Sequence, residues 1–157
     1  MSQLSLEQRL ARLEAVEDIK RLKARYCAFC DNNYDPDGIA GLFTRDGVWD
    51  GESFGRYAGR EEIRAFFRRI AGDIVFAAHL VLNPIVEVQD ENHATGKWRL
   101  IMPATTQENG RREGRWLIAA YDERYVRVDG AWLFQHLKLH VNLWEPHATG
   151  WAETAVL

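Results

Sequence analysis

Apolar residues in the first thirty positions recur with a helical period. Leu6, Leu10, Leu13, Ile19, Leu22, Tyr26 and Phe29 lie three or four residues apart, or at sums of those steps. Ser5 followed by Gln8 forms a capping box ahead of this run, which predicts a long helix ending near Asn32–Asn33. A second face carries Ala24, Cys27, Ala28 and Asp31, small residues ending in an acid. That face predicts a close approach to a neighbouring element, with Asp31 delivered into a packed interior. Asp35 then reads as a new N-cap with Pro36 at the first helical position, opening a short helix that reaches Phe43. Thr44–Gly47 reads as a turn and GVWDG as a short strand. REEIRAFFRRIA, residues 60–71, is a third helix: Glu61 and Glu62 suit its positive end, Ile63, Phe66, Phe67 and Ile70 make its buried stripe, and Gly72 ends it.

From residue 76 the pattern changes to long runs rich in branched and aromatic residues, joined by short turns. FAAHLVLNPIVEVQ leads to a turn at Asp90–Asn92. HATGKWRLIMPATTQ leads to Asn109-Gly110, GRWLIAAYDERYVRV leads to Asp129-Gly130, and AWLFQHLKLHVNLW closes the series. Helices followed by an antiparallel meander predict an α+β fold. The expected form is a cone-shaped, curved, mainly antiparallel sheet packed against three N-terminal helices and enclosing a pocket. No repeat, linker or low-complexity stretch divides the 157 residues, so a single domain over residues 1–157 is expected.

Composition narrows the partners. With 20 basic and 23 acidic residues and a net charge of −3, the chain has no basic excess with which to neutralise nucleic-acid phosphates. Arg111, Arg112 and Arg115 cluster, but Glu108 and Glu113 dilute them into a solvated hairpin. No apolar run approaches the ~20 residues of a membrane span. The charged, amphipathic N-terminus lacks the apolar core of a signal peptide, so no membrane partner and a cytoplasmic location are expected. Cys27 and Cys30 form a lone C-x-x-C inside a helical pattern, which reads as two small buried side chains rather than a redox or zinc site. No nucleotide-binding motif is present, and neither cofactor nor metal is expected. His136 and His140 share a strand face but stand about 13 Å apart, too far to hold one ion. They read as surface or subunit-interface histidines, and His93 and His147 as isolated ones.

Several pieces in order carry a resemblance: EDIKRLKARYCAFCD, LFTRDGVWDG, YAGREEIRAFF, HLVLNPIVEV and YDERYVRVDGAWLF. Together, over residues 8–152, they resemble the nuclear-transport-factor-like cone fold. Within it they are similar to the SnoaL-like group's dehydratase branch, which includes scytalone dehydratase, bile-acid 7α-dehydratase and hexachlorocyclohexane dehydrochlorinase. The resemblance implies that an aspartate at the end of the first long helix pairs with a histidine on the first long strand. Those positions are Asp31 and His79, with Tyr26 one helical turn before the aspartate. It also implies a tail, NLWEPHATGW, that closes the pocket, and a homo-oligomer, a trimer in this branch with dimers elsewhere in the fold. Two positions depart from the pattern. Leu137 stands where the dehydrochlorinase has a basic residue, and Leu100-Ile101-Met102 where the bile-acid enzyme has an acid.

On this reading His79 is the general base, Asp31 orients it, and Tyr26 donates to the departing hydroxyl or an enolate oxygen. The activity implied is a cofactor-independent lyase, dehydrating a small, largely apolar, ring-containing hydroxy substrate. Trp49, Phe54, Trp98, Met102, Trp116 and Tyr121 are candidates to line the pocket, and Asn83 shares strand parity with His79. For each aromatic residue, plain core is the competing assignment. For Asn83 before Pro84, the competing assignment is a strand irregularity. Asp31 and His79 could also simply satisfy one another. Three other functions stay open: a ketosteroid-isomerase-type isomerase with Asp31 as base, a scaffold subunit like the β subunit of a ring-hydroxylating dioxygenase, and a ligand-binding module without chemistry.

Overall fold

The computed structural model of the chain describes residues 4–152. Its first helix, α1, spans Leu6–Asp31 and begins with the predicted capping box: Ser5 Oγ accepts from the Gln8 N–H, and the Gln8 side chain accepts from the Ser5 N–H. The buried face starts at Ala15 and continues through Ile19, Leu22, Lys23, Tyr26, Cys27 and Cys30. Leu6, Leu10 and Leu13 of the predicted stripe are exposed, because the first two turns run past the sheet. Ala24 and Ala28 are exposed as well, so the small-residue face is not the contact face.

Helix α2, Pro36–Gly41, has Asp35 as its N-cap, with Oδ1 accepting from the N–H groups of Asp37 and Gly38. Strand β1, Phe43–Asp50, takes in the segment predicted as a turn, and a register shift between Phe43 and Val48 absorbs it. A single 3-10 turn, Glu52–Phe54, and strand β2, Arg56–Ala58, lead to helix α3, Arg60–Asp73. Gly72 lies inside α3 rather than ending it. Ile63, Phe66 and Phe67 are its buried residues.

The remaining strands are β3 (Ile74–Ala77), β4 (Leu80–Val88), β5 (His93–Glu108), β6 (Arg111–Val128) and β7 (Ala131–Pro146). The sheet runs in the order β2-β1-β7-β6-β5-β3, with β4 also on β5; among the described residues only the β1–β7 pairing is parallel. Strands of sixteen to eighteen residues cannot stay flat over that length, because the right-handed twist accumulates. The sheet therefore curls around the helices into the expected cone. On β5 and β6 burial alternates, so Trp98, Leu100, Met102, Leu117, Ala119, Tyr121, Glu123 and Tyr125 face inward.

One inward position is charged. Glu123 is completely buried and meets Lys23 Nζ of α1 at 2.5 Å, the two side chains being 0% and 2% exposed. Tyr125 donates its hydroxyl to the other Glu123 oxygen, and Trp98 Nε1–H donates to the Tyr125 oxygen at 3.0 Å. The Lys23 ammonium also sits over the Tyr121 ring, 3.1 Å from its centroid. A Cβ at Gly96 would fall 2.6 Å from the Tyr125 hydroxyl, so only glycine leaves room for this phenol.

This pair ties α1 to the middle of the sheet. Lys23→Met leaves Glu123 buried without a countercharge and is expected to cost about 3–5 kcal/mol in urea unfolding. Lys23→Met combined with Glu123→Gln removes both charges and is expected to recover most of that loss.

Candidate active site

The segment predicted as one long strand, residues 76–89, is broken. β3 and β4 both pair with β5, but between them Ala78 and His79 leave the ladder: Ala78 N–H still reaches Pro103 O, at 3.1 Å, whereas His79 N–H does not bond to β5. It turns to the end of α1, where Asp31 Oδ1 and Oδ2 accept it at 3.0 and 3.1 Å. The same carboxylate takes the ring, His79 Nδ1 lying 2.6 Å from Asp31 Oδ1. A carboxylate has no proton to give at neutral pH, so Nδ1–H donates and Nε2 keeps a free lone pair. The His79 side chain is 6% exposed and that of Asp31 36%. Asp31 thus sits at the rim rather than in the packed interior, and it holds a ring that is itself buried.

The ring borders a narrow cavity of about 40 Å³ that opens to solvent. Of the residues expected there, Tyr26, His79, Trp49, Phe54, Met102 and Tyr121 line it. Trp49 comes from β1, packed at a 33° tilt against Phe66 with centroids 4.6 Å apart, and its Nε1–H donates to the Tyr26 oxygen at 2.9 Å. That bond uses an oxygen lone pair, while the hydroxyl proton has the Cys30 thiol as a neighbouring acceptor inside the wall. Burial raises the Tyr26 phenol pKa well above its ordinary value, with Cys30 and Tyr121 adding to the rise, so the group stays a neutral donor. Phe54 is set at the mouth by the 3-10 turn. Glu52, held at φ +54°, accepts from Val141 N–H at 3.0 Å and meets His140 Nδ1 at 3.0 Å.

Three expected residues lie elsewhere. Asn83 is exposed at φ +52°, at a register shift between Leu82 and Ile85, so it marks a strand irregularity. Trp98 faces inward but belongs to the closed end of the cone with Tyr125. Trp116 is five residues from Tyr121 on an unbroken run of the β5–β6 ladder and so takes the opposite face. There it donates to His147 Nδ1 at 3.0 Å and packs edge-on to Trp151. The tail around Pro146–Trp151 therefore covers that outer side, and none of it lines the cavity. Leu100 and Met102 line the cavity, whereas Leu137 is buried in the core away from it, and Leu139 is the residue of β7 that lines it.

The sequence reading missed one polar lining residue, Tyr34. Asn33 and Tyr34 occupy the left-handed region at φ +54° and +51°, a conformation costing about 1–3 kcal/mol for residues like these. Tyr34 N–H still reaches Cys30 O and Asp35 N–H reaches Phe29 O, which folds the chain back beneath α1. The Tyr34 ring then stacks on Phe67 and meets the His79 ring edge-on at 6.1 Å. Among the described residues no three His, Cys, Asp or Glu side chains converge as a metal site would require. None of the described helices is long and apolar enough to cross a membrane.

An open, apolar-walled cone with a long C-terminal meander is a fold that comparison can test. The SnoaL-like domain profile matches residues 11–138. The chain belongs to the SnoaL-like domain family. Solved structures share the fold. A putative scytalone dehydratase from Novosphingobium aromaticivorans superposes with a TM-score of 0.78 at 20% identity, covering 87% of this chain and 90% of that one. A hexachlorocyclohexane dehydrochlorinase from Novosphingobium barchaimii gives 0.79 at 22% identity, covering 88% and 94%. A putative aromatic ring hydroxylase from Novosphingobium aromaticivorans gives 0.72 at 21%, covering 94% and 98%. At these identities the likeness establishes the fold. No curated protein matches the sequence.

The cysteines of α1 sit behind the cavity wall, unbonded and buried. Burial pushes the Cys27 thiol up to about 11 and moves Cys30 upward in the same direction. At pH 8 on the order of one Cys27 in a hundred to a thousand is thiolate. Neither cysteine is expected to react with Ellman's reagent at pH 8 until urea unfolds the chain. Because the folded pKa is the higher one, the stability linked to Cys27 is complete below pH 9 and lost as pH rises through about 11.

Proposed function

We propose that this SnoaL-like chain is a cofactor-independent lyase that eliminates water from a small, uncharged, ring-containing hydroxy compound. The observation that carries the proposal is the 2.6 Å contact between His79 Nδ1 and Asp31 Oδ1, made by a ring that borders an apolar cavity. Asp31 fixes the tautomer and steadies the imidazolium that forms. His79 Nε2 takes a proton from the carbon next to a carbonyl, and that C–H electron pair forms the new double bond. The neighbouring C–O bond breaks, its pair leaving with oxygen, which Tyr26 stabilises by hydrogen bonding. The proton held on His79 then passes to the departing hydroxide, giving water and regenerating the neutral imidazole.

The isomerase alternative needs a carboxylate base deep in the pocket. Asp31 does not suit that role, since both its oxygens are engaged by His79 and it does not line the cavity. The scaffold alternative needs no cavity, whereas the walls here stop short of filling one. The proposal includes self-association in the cytoplasm, as a trimer or dimer. It rests on the β3–β4 edge of the sheet, which exposes Phe76, Leu80, Leu82 and Ile85.

Two experiments test these points. A panel of cyclic β-hydroxy ketones is scanned for appearance of conjugated-enone absorbance. His79→Ala is expected to lower turnover by about 10²–10⁴-fold, and Asp31→Asn by a similar factor. Only modest loss in His79→Ala would favour the isomerase. Light scattering is expected to give a mass two or three times that of one chain, and Leu82→Lys with Ile85→Lys is expected to return the monomer.

A further inference from the structure

We propose that Tyr34 is the residue that anchors the substrate's carbonyl oxygen, donating its phenolic hydrogen bond beside the base. This rests on the lyase reading above and names the second polar contact of the same cavity.

Three observations carry it. Tyr34 is only 5% exposed and lines the cavity, yet its hydroxyl has no hydrogen-bond partner among the described residues. The hydroxyl itself is not sealed into the packing and keeps accessible surface, so a ligand in the cavity can take the hydrogen bond it leaves open. Its backbone is held left-handed, a conformation that bulky side chains avoid, so the turn after α1 is strained in order to aim this ring inward. And its ring contacts the His79 ring at 80°, with centroids 6.1 Å apart.

The last point matters chemically. When a base removes the proton next to a carbonyl, negative charge develops on an oxygen two bonds from the carbon being deprotonated. A donor that serves this oxygen must stand close to the base. Tyr34 does. The Tyr26 ring packs against Phe67, Tyr121 and Phe134, and its oxygen already accepts from Trp49. Burial raises the Tyr34 phenol pKa, first by desolvation and then through Cys30 and Asp31, so the group keeps its proton and donates it as a hydrogen bond.

The test uses binding and needs no turnover. Acetophenone and ethylbenzene share size and shape and differ by one carbonyl oxygen. Wild-type protein is expected to bind acetophenone more tightly by calorimetry. Tyr34→Phe keeps the ring and its stacking on Phe67, and is expected to weaken acetophenone about 3- to 10-fold while leaving ethylbenzene within about 2-fold. Its melting temperature is expected to match wild type, since no internal hydrogen bond is lost. The proposal is overturned if wild type shows no preference or holds neither probe, or if Tyr34→Phe keeps the preference. It is also overturned if only Tyr26→Phe or Tyr121→Phe abolishes the preference, or if Tyr34→Phe melts several degrees lower, which would reveal a structural partner. A chain that binds acetophenone through Tyr34 but eliminates nothing would retire the lyase reading and leave this assignment in place.

Discussion

The Asp31 carboxylate is the joint on which the site depends. It accepts three contacts from one residue, two from the His79 backbone N–H and one from its ring. The backbone contacts compensate the N–H that leaves the β5 ladder, so the break between β3 and β4 does not strand a buried donor. The ring contact selects which nitrogen meets the cavity. A single side chain therefore satisfies the strand break and sets the imidazole. The end of α1 must stay where it is for either to hold.

That position is kept from farther down the helix. Lys23 lies two turns before Asp31 and locks α1 onto β6 through Glu123, while Ile19, Leu22 and Tyr26 pack the apolar surface around it. A buried ion pair adds little net stability against an apolar replacement, because two charges must first lose their water. Its value is directional: only one axial setting of α1 brings the ammonium onto both Glu123 and the Tyr121 face. The closed end of the cone is thus specified by charge, and the open end inherits its geometry through the rigid helix.

Much of this could be read in the sequence. The capping box at Ser5, the Asp35–Pro36 start of α2, the Asn109-Gly110 and Asp129-Gly130 hairpins and the length of the last strands all rest on local chemistry that tertiary structure did not override. Asp31, His79 and Tyr26 follow from the resemblance, and the meeting of Tyr26 and His79 at one cavity, with Asp31 holding the imidazole from outside it, is a long-range fact. The misses share a cause. Leu6, Leu10 and Leu13 keep the helical period but overhang the sheet, which no local pattern records. The break at His79 and the bulge at Asn83 shift parity in a run that counts as continuous. Trp116 was avoidable, since strand parity alone sets it opposite Tyr121. Glu123 was also within reach, at the inward parity of Tyr121 and Tyr125. Tyr34 was not, because nothing in DNNYDP announces a tyrosine in the left-handed region.

Among the described residues the cavity wall carries phenols, an indole and an imidazole among apolar side chains, and no Lys, Arg, Asp or Glu. A carboxylate or phosphate entering it would shed its water and find no fixed countercharge. The chamber therefore sorts molecules by ionisation state before it sorts them by shape. For a weakly acidic ligand, occupancy follows the neutral fraction in the surrounding solution. Its pH dependence would then carry the ligand's own acidity, shifting from compound to compound.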